Sequence, residues 1–304
     1  MSGEEEQEQT HCGFIAILGA PNAGKSTLVN RMVGTKVTIV SPKVQTTRGR
    51  VMGIAIKDHV QLVFIDTPGI FTPKRRLDRA MVAAAWSGAS DADVSLLLID
   101  ATEGVKRDAE AIIARMKGEH RRAHLVLNKV DKVDKPELLA MTQSLMEEGI
   151  FDEVFMISAL KGKGVDSMMD FLASKMPEGP WHFPEDQVSD MTERLLAAEI
   201  TREQLYHQLH QELPYATTVE TETWEERKDG SVKIEQVIYV IRDSQKSIIL
   251  GKGGKQIKHI GEKSRKELEE IFDRRVHLFL FVKVREKWGD DPERYRDLGL
   301  DFNA

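Results

Sequence analysis

Cysteine is almost missing from this sequence. Cys12 stands alone among 304 residues, which rules out a disulfide within the chain and fits a reducing compartment. Cys12 itself reads as a small apolar residue at a strand edge. Long apolar runs are missing too, since none approaches the roughly 18 residues a membrane span needs. Met1 to Thr10 are acidic and polar, unlike a secretory signal or an Arg-rich transit peptide, so a cytosolic location is expected. Nor is there an excess of positive charge: the net charge of −6 argues against a wholly basic nucleic-acid coat protein, although a local basic patch survives such averaging. His182, His207, His210 and His259 are scattered, with no metal-ligand spacing. What is present is 41% hydrophobic and 30% charged, enough apolar material for real cores, in a length that suits roughly two domains.

The chain is organised around Gly19-Ala20-Pro21-Asn22-Ala23-Gly24-Lys25-Ser26, followed by Thr27. This matches the phosphate-loop pattern G-x-x-x-x-G-K-[ST] in its required context, with the strand-like run Phe14–Leu18 before it and a helix start after it. Backbone N–H groups and the positive end of the helix dipole then point at one place, which is where a phosphate is held. Gly19 and Gly24 let the backbone approach it, Lys25 supplies charge to the outer phosphates, and Ser26 offers a hydroxyl to Mg²⁺.

From residue 13 to 176 short apolar runs alternate with helical patterns. The candidate strands are Phe14–Leu18, Val51–Ile56, Val60–Ile65, Val94–Ile99, Leu125–Leu127 and Val154–Ile157. Such alternation predicts an α/β domain with a mainly parallel sheet, and the short Lys57-Asp58-His59 connection makes Val51–Ile56 an antiparallel edge. Open sheets of this kind bind ligands at the C-terminal strand ends. There stand Asp66-Thr67-Pro68-Gly69, where Asp66 can hold Mg²⁺ and the Gly69 N–H can meet a γ-phosphate; Asn128-Lys129-Val130-Asp131, where Asp131 can accept from the N1–H and amine of guanine; and Ser158-Ala159-Leu160, whose backbone can meet the base oxygen.

These four segments resemble the GTPase domain of the translation-factor-related bacterial GTPases. The resemblance implies that Ser41 to Arg48 is switch I and that Thr47 gives Mg²⁺ its second hydroxyl, with Thr46 as the alternative. Lys25, Thr47, Gly69 and Asn22 are then the catalytic set, and Ser26, Thr47 and Asp66 the metal set. Asn22 resembles the asparagine that helps hold a catalytic K⁺ in some relatives. Where many signalling GTPases carry a water-positioning Gln after the DxxG glycine, this chain has Ile70, so slow intrinsic hydrolysis is expected.

After Met176 the alternation stops at a Pro-rich linker, 177–189, expected to pack through Trp181 and Phe183. The second domain, 190–290, reads as a helix over Met191–Leu213, strands over Thr217–Trp224 and Ile234–Ile241, a basic glycine loop, a helix over Glu262–Phe272 and a strand over Val276–Val284. Gly251-Lys252-Gly253-Gly254 between two short helices is the GXXG clamp of a KH fold, and Lys246, Lys252, Lys255 and Lys258 crowd it with an electrostatic footprint for RNA. Residues 1–12 are read as disordered and 291–304 as a tail.

The two domains in this order, with the linker between them, resemble the Era family of GTPases with a C-terminal KH domain of type II. The resemblance implies GTP as substrate, Mg²⁺, an assembly role on the small ribosomal subunit through its ribosomal RNA near the 3′ end, a monomeric chain, and peripheral contact with a membrane. Two rivals stay open: an adaptor whose second domain binds a protein or membrane surface, and an ATP-driven enzyme in which Asp131 is idle.

Overall fold

Each apolar run of the first domain lies in a strand, most of them slightly longer than the run, though the last strand starts earlier and stops at Met156, one residue short of Ile157. The strands are β1 (His11–Gly19), β2 (Val51–Lys57), β3 (Val60–Asp66), β4 (Val94–Asp100), β5 (Ala123–Asn128) and β6 (Phe151–Met156). They form one sheet in the order β2-β3-β1-β4-β5-β6, parallel except for β2, which pairs antiparallel with β3 through a turn at Asp58. The computed structural model describes residues 9–304, so most of the segment read as disordered, 1–12, lies outside the described residues, while His11 and Cys12 belong to β1. Helices α1 (Lys25–Val33), α2 (Arg76–Ser90), α3 (Arg107–Gly118), α4 (Lys135–Met146) and α5 (Val165–Lys175) cover both faces. Two apolar cores result, one holding Leu97, Leu125 and Ile112, the other Ile15, Phe64 and Met168. Burial on both faces explains why these strands read as continuous apolar runs.

The linker is tied down along the β2–β3 side of the sheet. Gln61 accepts from the His182 and Phe183 N–H groups (2.9 and 3.1 Å), and the Ile54 N–H donates to Val188 O (2.9 Å). Trp181 and Phe183 pack against Cys12, Ile54 and Val63, as expected of them. Edge strand β2 is thereby covered.

The second domain has α6 (Glu193–Gln208), β7 (Thr218–Glu226), β8 (Val232–Val240), α7 (Asp243–Leu250), α8 (Lys255–Phe272) and β9 (Val276–Val284). Its sheet is ordered β7-β8-β9, with β7 antiparallel and β9 parallel to β8. Two readings change. The first helix stops at Gln208, where Leu209 turns extended (φ −99°, ψ 155°), rather than at Leu213; and α8 starts at Lys255, immediately after the glycine loop, rather than at Glu262.

The segment read as a tail is docked. Helix α9 (Pro292–Asp297) and the residues after it place Tyr295 and Leu300 in a cluster with Ala80 and Met81 of α2. Arg76 lies over the Phe302 ring at 4.5 Å, and a Cβ on Gly49 would meet Leu298 O at 2.5 Å.

Candidate functional site

The ends of β1, β3, β4 and β5 open onto one cavity of about 910 Å³. The loop after β1 forms its floor and requires glycine at two places. A Cβ on Gly19 (φ +153°) would stand 2.5 Å from Leu98 O, and one on Gly24 (φ +98°) 2.3 Å from Asn128 Nδ2. The helix that follows begins at Lys25, whose buried ammonium donates to Gly19 O (3.2 Å) and Ala20 O (3.1 Å). Burial pushes its pKa down to about 8, against the pull of Asp66. A cation so enclosed among neutral carbonyls gains from an arriving anion.

Asp66 ends β3 fully buried and collects hydroxyls. Ser26 Oγ donates to its Oδ2 (2.8 Å), as do Thr38 Oγ1 (3.0 Å) and Thr47 Oγ1 (3.3 Å), and the Ser26 and Thr47 hydroxyls are 2.9 Å apart. The other carboxylate oxygen, Oδ1, is buried with no hydrogen-bond partner among the described residues. Burial raises the Asp66 pKa, opposed by Lys25 and the three hydroxyls. A carboxylate with an unpartnered oxygen beside several hydroxyls is a hard oxygen set that suits Mg²⁺. Thr47 stands here and Thr46 does not: the Thr46 hydroxyl is engaged with Lys43 O and Ser41 Oγ, each at 2.7 Å.

Gly69 lies against the phosphate loop, where a Cβ would be 2.9 Å from Pro21, and the Ile70 N–H donates to Gly19 O (3.1 Å). The Ile70 side chain faces the core, so it offers nothing polar to the cavity. Thr67 is structural, its hydroxyl donating to Ile17 O (2.7 Å). Pro68, beside it, is buried.

On the other side, Asn128 bolts two loops together. Its Nδ2 donates to Ala23 O (2.8 Å), and its Oδ1 accepts from Lys129 N (2.8 Å) and Ala159 N (3.0 Å). Lys129 reaches Asn22 O (3.1 Å) and pairs with Asp100. Asp131 pairs with Lys161 at 2.9 Å, and hydrogen bonds from Lys161 and Ser158 hold its carboxyl below the usual range. It is therefore an ionised double acceptor, the chemistry that guanine recognition needs. Arg31 holds Ala159 O (3.2 Å) and Leu160 O (2.6 Å).

Thr38, Asp100 and Lys161 belong to this site and were absent from the expected set. For Asp100 the sequence carries a signal, because it ends an apolar strand next to β1 just as Asp66 does. Thr38 and Lys161 have no such mark.

The second candidate site is the loop between α7 and α8. Gly251, Gly253 and Gly254 all have positive φ (69°, 61° and 75°). Gly251 is also pressed, since its Cβ would lie 2.7 Å from that of Gln256, whereas a Cβ on Gly253 or Gly254 would meet nothing within 4 Å. Lys252, Lys255 and Lys258 are exposed, and Lys246 is half-buried. Lys258 pairs with Glu262 at 4.0 Å, while Lys252 and Lys255 make no ion pair among the described residues.

Between the two sites runs the segment 36–48, enclosed by α6. The Val40 N–H donates to Glu203 (2.7 Å), Arg202 donates to Thr46 O (2.5 Å), the Tyr206 hydroxyl to Gln45 O (3.2 Å), and Arg48 to Thr217 O (2.9 Å). Lys36 pairs with Glu203 of α6 and Glu267 of α8, and Lys43 caps the Tyr206 and Leu209 carbonyls. Ile39 is buried among Ile200, Ile234 and Leu268 of the second domain.

Comparison with known proteins gives this geometry a context. Residues 14–129 match the family described as 50S ribosome-binding GTPase, and residues 212–289 match the KH domain. GTPase Era of Brucella suis is 62% identical over 300 residues, covering 99% of this chain and 96% of that protein; GTPase Era of Sinorhizobium medicae is 63% identical over 293 residues, covering 96% and 94%. A crystal structure of Era with MgGDPNP and nucleotides 1506–1542 of 16S ribosomal RNA superposes with a TM-score of 0.90 at 39% identity, covering 95% of this chain and 99% of that one. A structure of an Aquifex aeolicus Era variant bound to GDP and AlF4⁻ gives 0.89.

Proposed function

The chain belongs to the Era family of GTPases, and from that premise we propose that it is a GTP-gated binder of small-subunit ribosomal RNA that acts in assembly of that subunit. GTP occupies the 910 Å³ cavity, with its phosphates on the loop from Gly19 to Thr27 and its guanine at Asp131. Ser26, Thr47 and Asp66 hold Mg²⁺, which neutralises charge on the outer phosphates. RNA backbone lies against Gly251 to Gly254, with Lys252 and Lys255 facing its phosphates. Asn22 donates to Pro42 O at 3.0 Å, tying the phosphate loop to switch I, and by the Era resemblance Asn22 would help hold a K⁺; equal hydrolysis rates in Na⁺ and K⁺ would remove that ion. Hydrolysis is slow because the Ile70 side chain is in the core.

One observation carries the gating. Thr47 is bonded to Asp66 in the first domain, and its immediate neighbours Thr46 and Arg48 are bonded to the second. A nucleotide that moves Thr47 must therefore disturb α6 contacts, and reciprocity requires RNA to change GTP affinity by the same factor.

The test is sedimentation of cell extract with added GTP or GDP, together with titration of a 16S 3′-end fragment under both nucleotides. Nucleotide-dependent travel with the small subunit is the expected result. If the protein stays at the top under both, the ribosomal role falls and the adaptor reading replaces it.

A further inference from the structure

The cavity that takes the nucleotide has one wall from the other domain. His207, exposed on the last turn of α6, lines the same cavity as Gly24, Lys25 and Thr47. Its helix end is held there by a chain of contacts. Lys43 caps the carbonyls of Tyr206 and Leu209, on either side of His207, and Pro42, next to Lys43, accepts through its carbonyl from Asn22 of the phosphate loop at 3.0 Å. Through Lys43 and Pro42 the backbone around His207 is thus tied to Asn22 of the phosphate loop, whereas Ser26, Thr47 and Asp66 cluster as the metal set. At the place where many GTPases present a polar side chain, Ile70 is turned into the core, and His207 is the side chain the second domain brings to the same cavity.

We infer that His207 is a catalytic residue supplied by the RNA-binding domain, donating from its imidazole to the terminal phosphates of bound GTP. In hydrolysis, the water oxygen bonds to the γ-phosphorus as the bond from that phosphorus to the β–γ bridging oxygen breaks. The electron pair stays on GDP, and the water's protons end on phosphate and solvent. Negative charge therefore shifts onto the bridging and γ oxygens, and a donor fixed beside them lowers the barrier without forming a bond itself. Because the donor belongs to α6, hydrolysis becomes sensitive to the position of the second domain, which is where RNA would act.

The experiment is single-turnover hydrolysis by the full chain at saturating GTP and Mg²⁺, for the unaltered protein, His207→Ala and His207→Arg. His207→Ala is expected to slow the step about 10- to 100-fold, as loss of one preorganised donor does. Its GDP affinity and its binding of a 16S 3′-end fragment should stay within about twofold of the unaltered values, since tenfold corresponds to 1.4 kcal/mol and an exposed side chain alters neither fold nor loop by that much. His207→Arg should recover most of the rate. An unchanged rate in His207→Ala, a rate loss matched by an equal loss of GDP affinity, or an arginine variant as slow as alanine would each overturn the inference. It rests on the cavity being the GTP site, and that reading fails separately: Asp131→Asn would then leave guanine preference untouched.

Discussion

Two glycine-rich loops, each opening a helix and each carrying lysine, solve opposite problems in this molecule. In Gly19–Ser26 the glycines are pressed: added Cβ atoms would meet Leu98 O at 2.5 Å and Asn128 Nδ2 at 2.3 Å, and Lys25 is buried. In Gly251–Gly254 the last two glycines face open space, and Lys252 and Lys255 are exposed. The first loop uses glycine so that backbone and a buried lysine close in on one small space, the arrangement the proposed phosphate site needs. The second uses it mainly for a left-handed turn that leaves its backbone open to solvent, the arrangement the proposed RNA contact needs. The same residue types thus build a closed site and an open one.

Paired substitutions test that contrast. Lys25→Met should abolish GTP binding yet raise the stability of the ligand-free chain, by about 3 kcal/mol from the fall of its pKa to about 8. The sign follows from linkage: the folded pKa lies below the unfolded one, so between about pH 8 and the ordinary lysine range the unfolded chain holds the extra proton, and folding gains as pH rises. The stability gap between variant and unaltered chain, measured by urea unfolding, should therefore be largest below pH 8 and shrink by pH 10. Lys252→Met, the open-loop counterpart, should change stability by no more than about 0.5 kcal/mol. An equal stabilisation in both would erase the distinction.

Gly24→Ala comes next. With φ at +98° and a contact at 2.3 Å, the Cβ must displace Asn128, and GTP affinity should fall about 100-fold in a fluorescent-nucleotide titration. RNA binding by the isolated property of the other loop should persist. Gly253→Asp is the mirror case: RNA affinity should drop about tenfold or more, GTP affinity should hold, and stability should fall by only about 1–2 kcal/mol, the cost of a side chain at φ +61°. Loss of both affinities in either variant would mean that the loops are not separable.

Most of the first domain was legible because each of its duties imposes a residue type at a fixed local spacing. The strand ends Asp66 and Asn128, and Ser158 two residues past the end of β6, follow from an apolar run and the polar residue after it. Thr46 against Thr47 was not decidable, since two adjacent threonines share every local signal; what separates them is that Thr46 is spent on Ser41 and Lys43. The α6 interface was invisible for a different reason. Arg202 and Glu203 look like the solvent face of an amphipathic helix, yet they are 1% and 3% exposed, because their partners at Thr46 and Lys36 lie more than 150 residues away. The docking of Tyr295 and Leu300 on α2 escaped similarly, through a segment too short and polar to announce a core.

Ile39 adds to the cost of parting the two domains. This residue of the first domain is buried in a core cluster otherwise built by the second, so the domains interlock at this point while each keeps its own core. Pulling Ile39 out returns its side chain to water at a cost of about 2 kcal/mol. A ligand can drive that motion only through its preference for the opened form, so a nucleotide must favour that form by roughly 30-fold to offset this one residue. Below that preference the closed form stays in the majority, and its share falls smoothly as the preference grows.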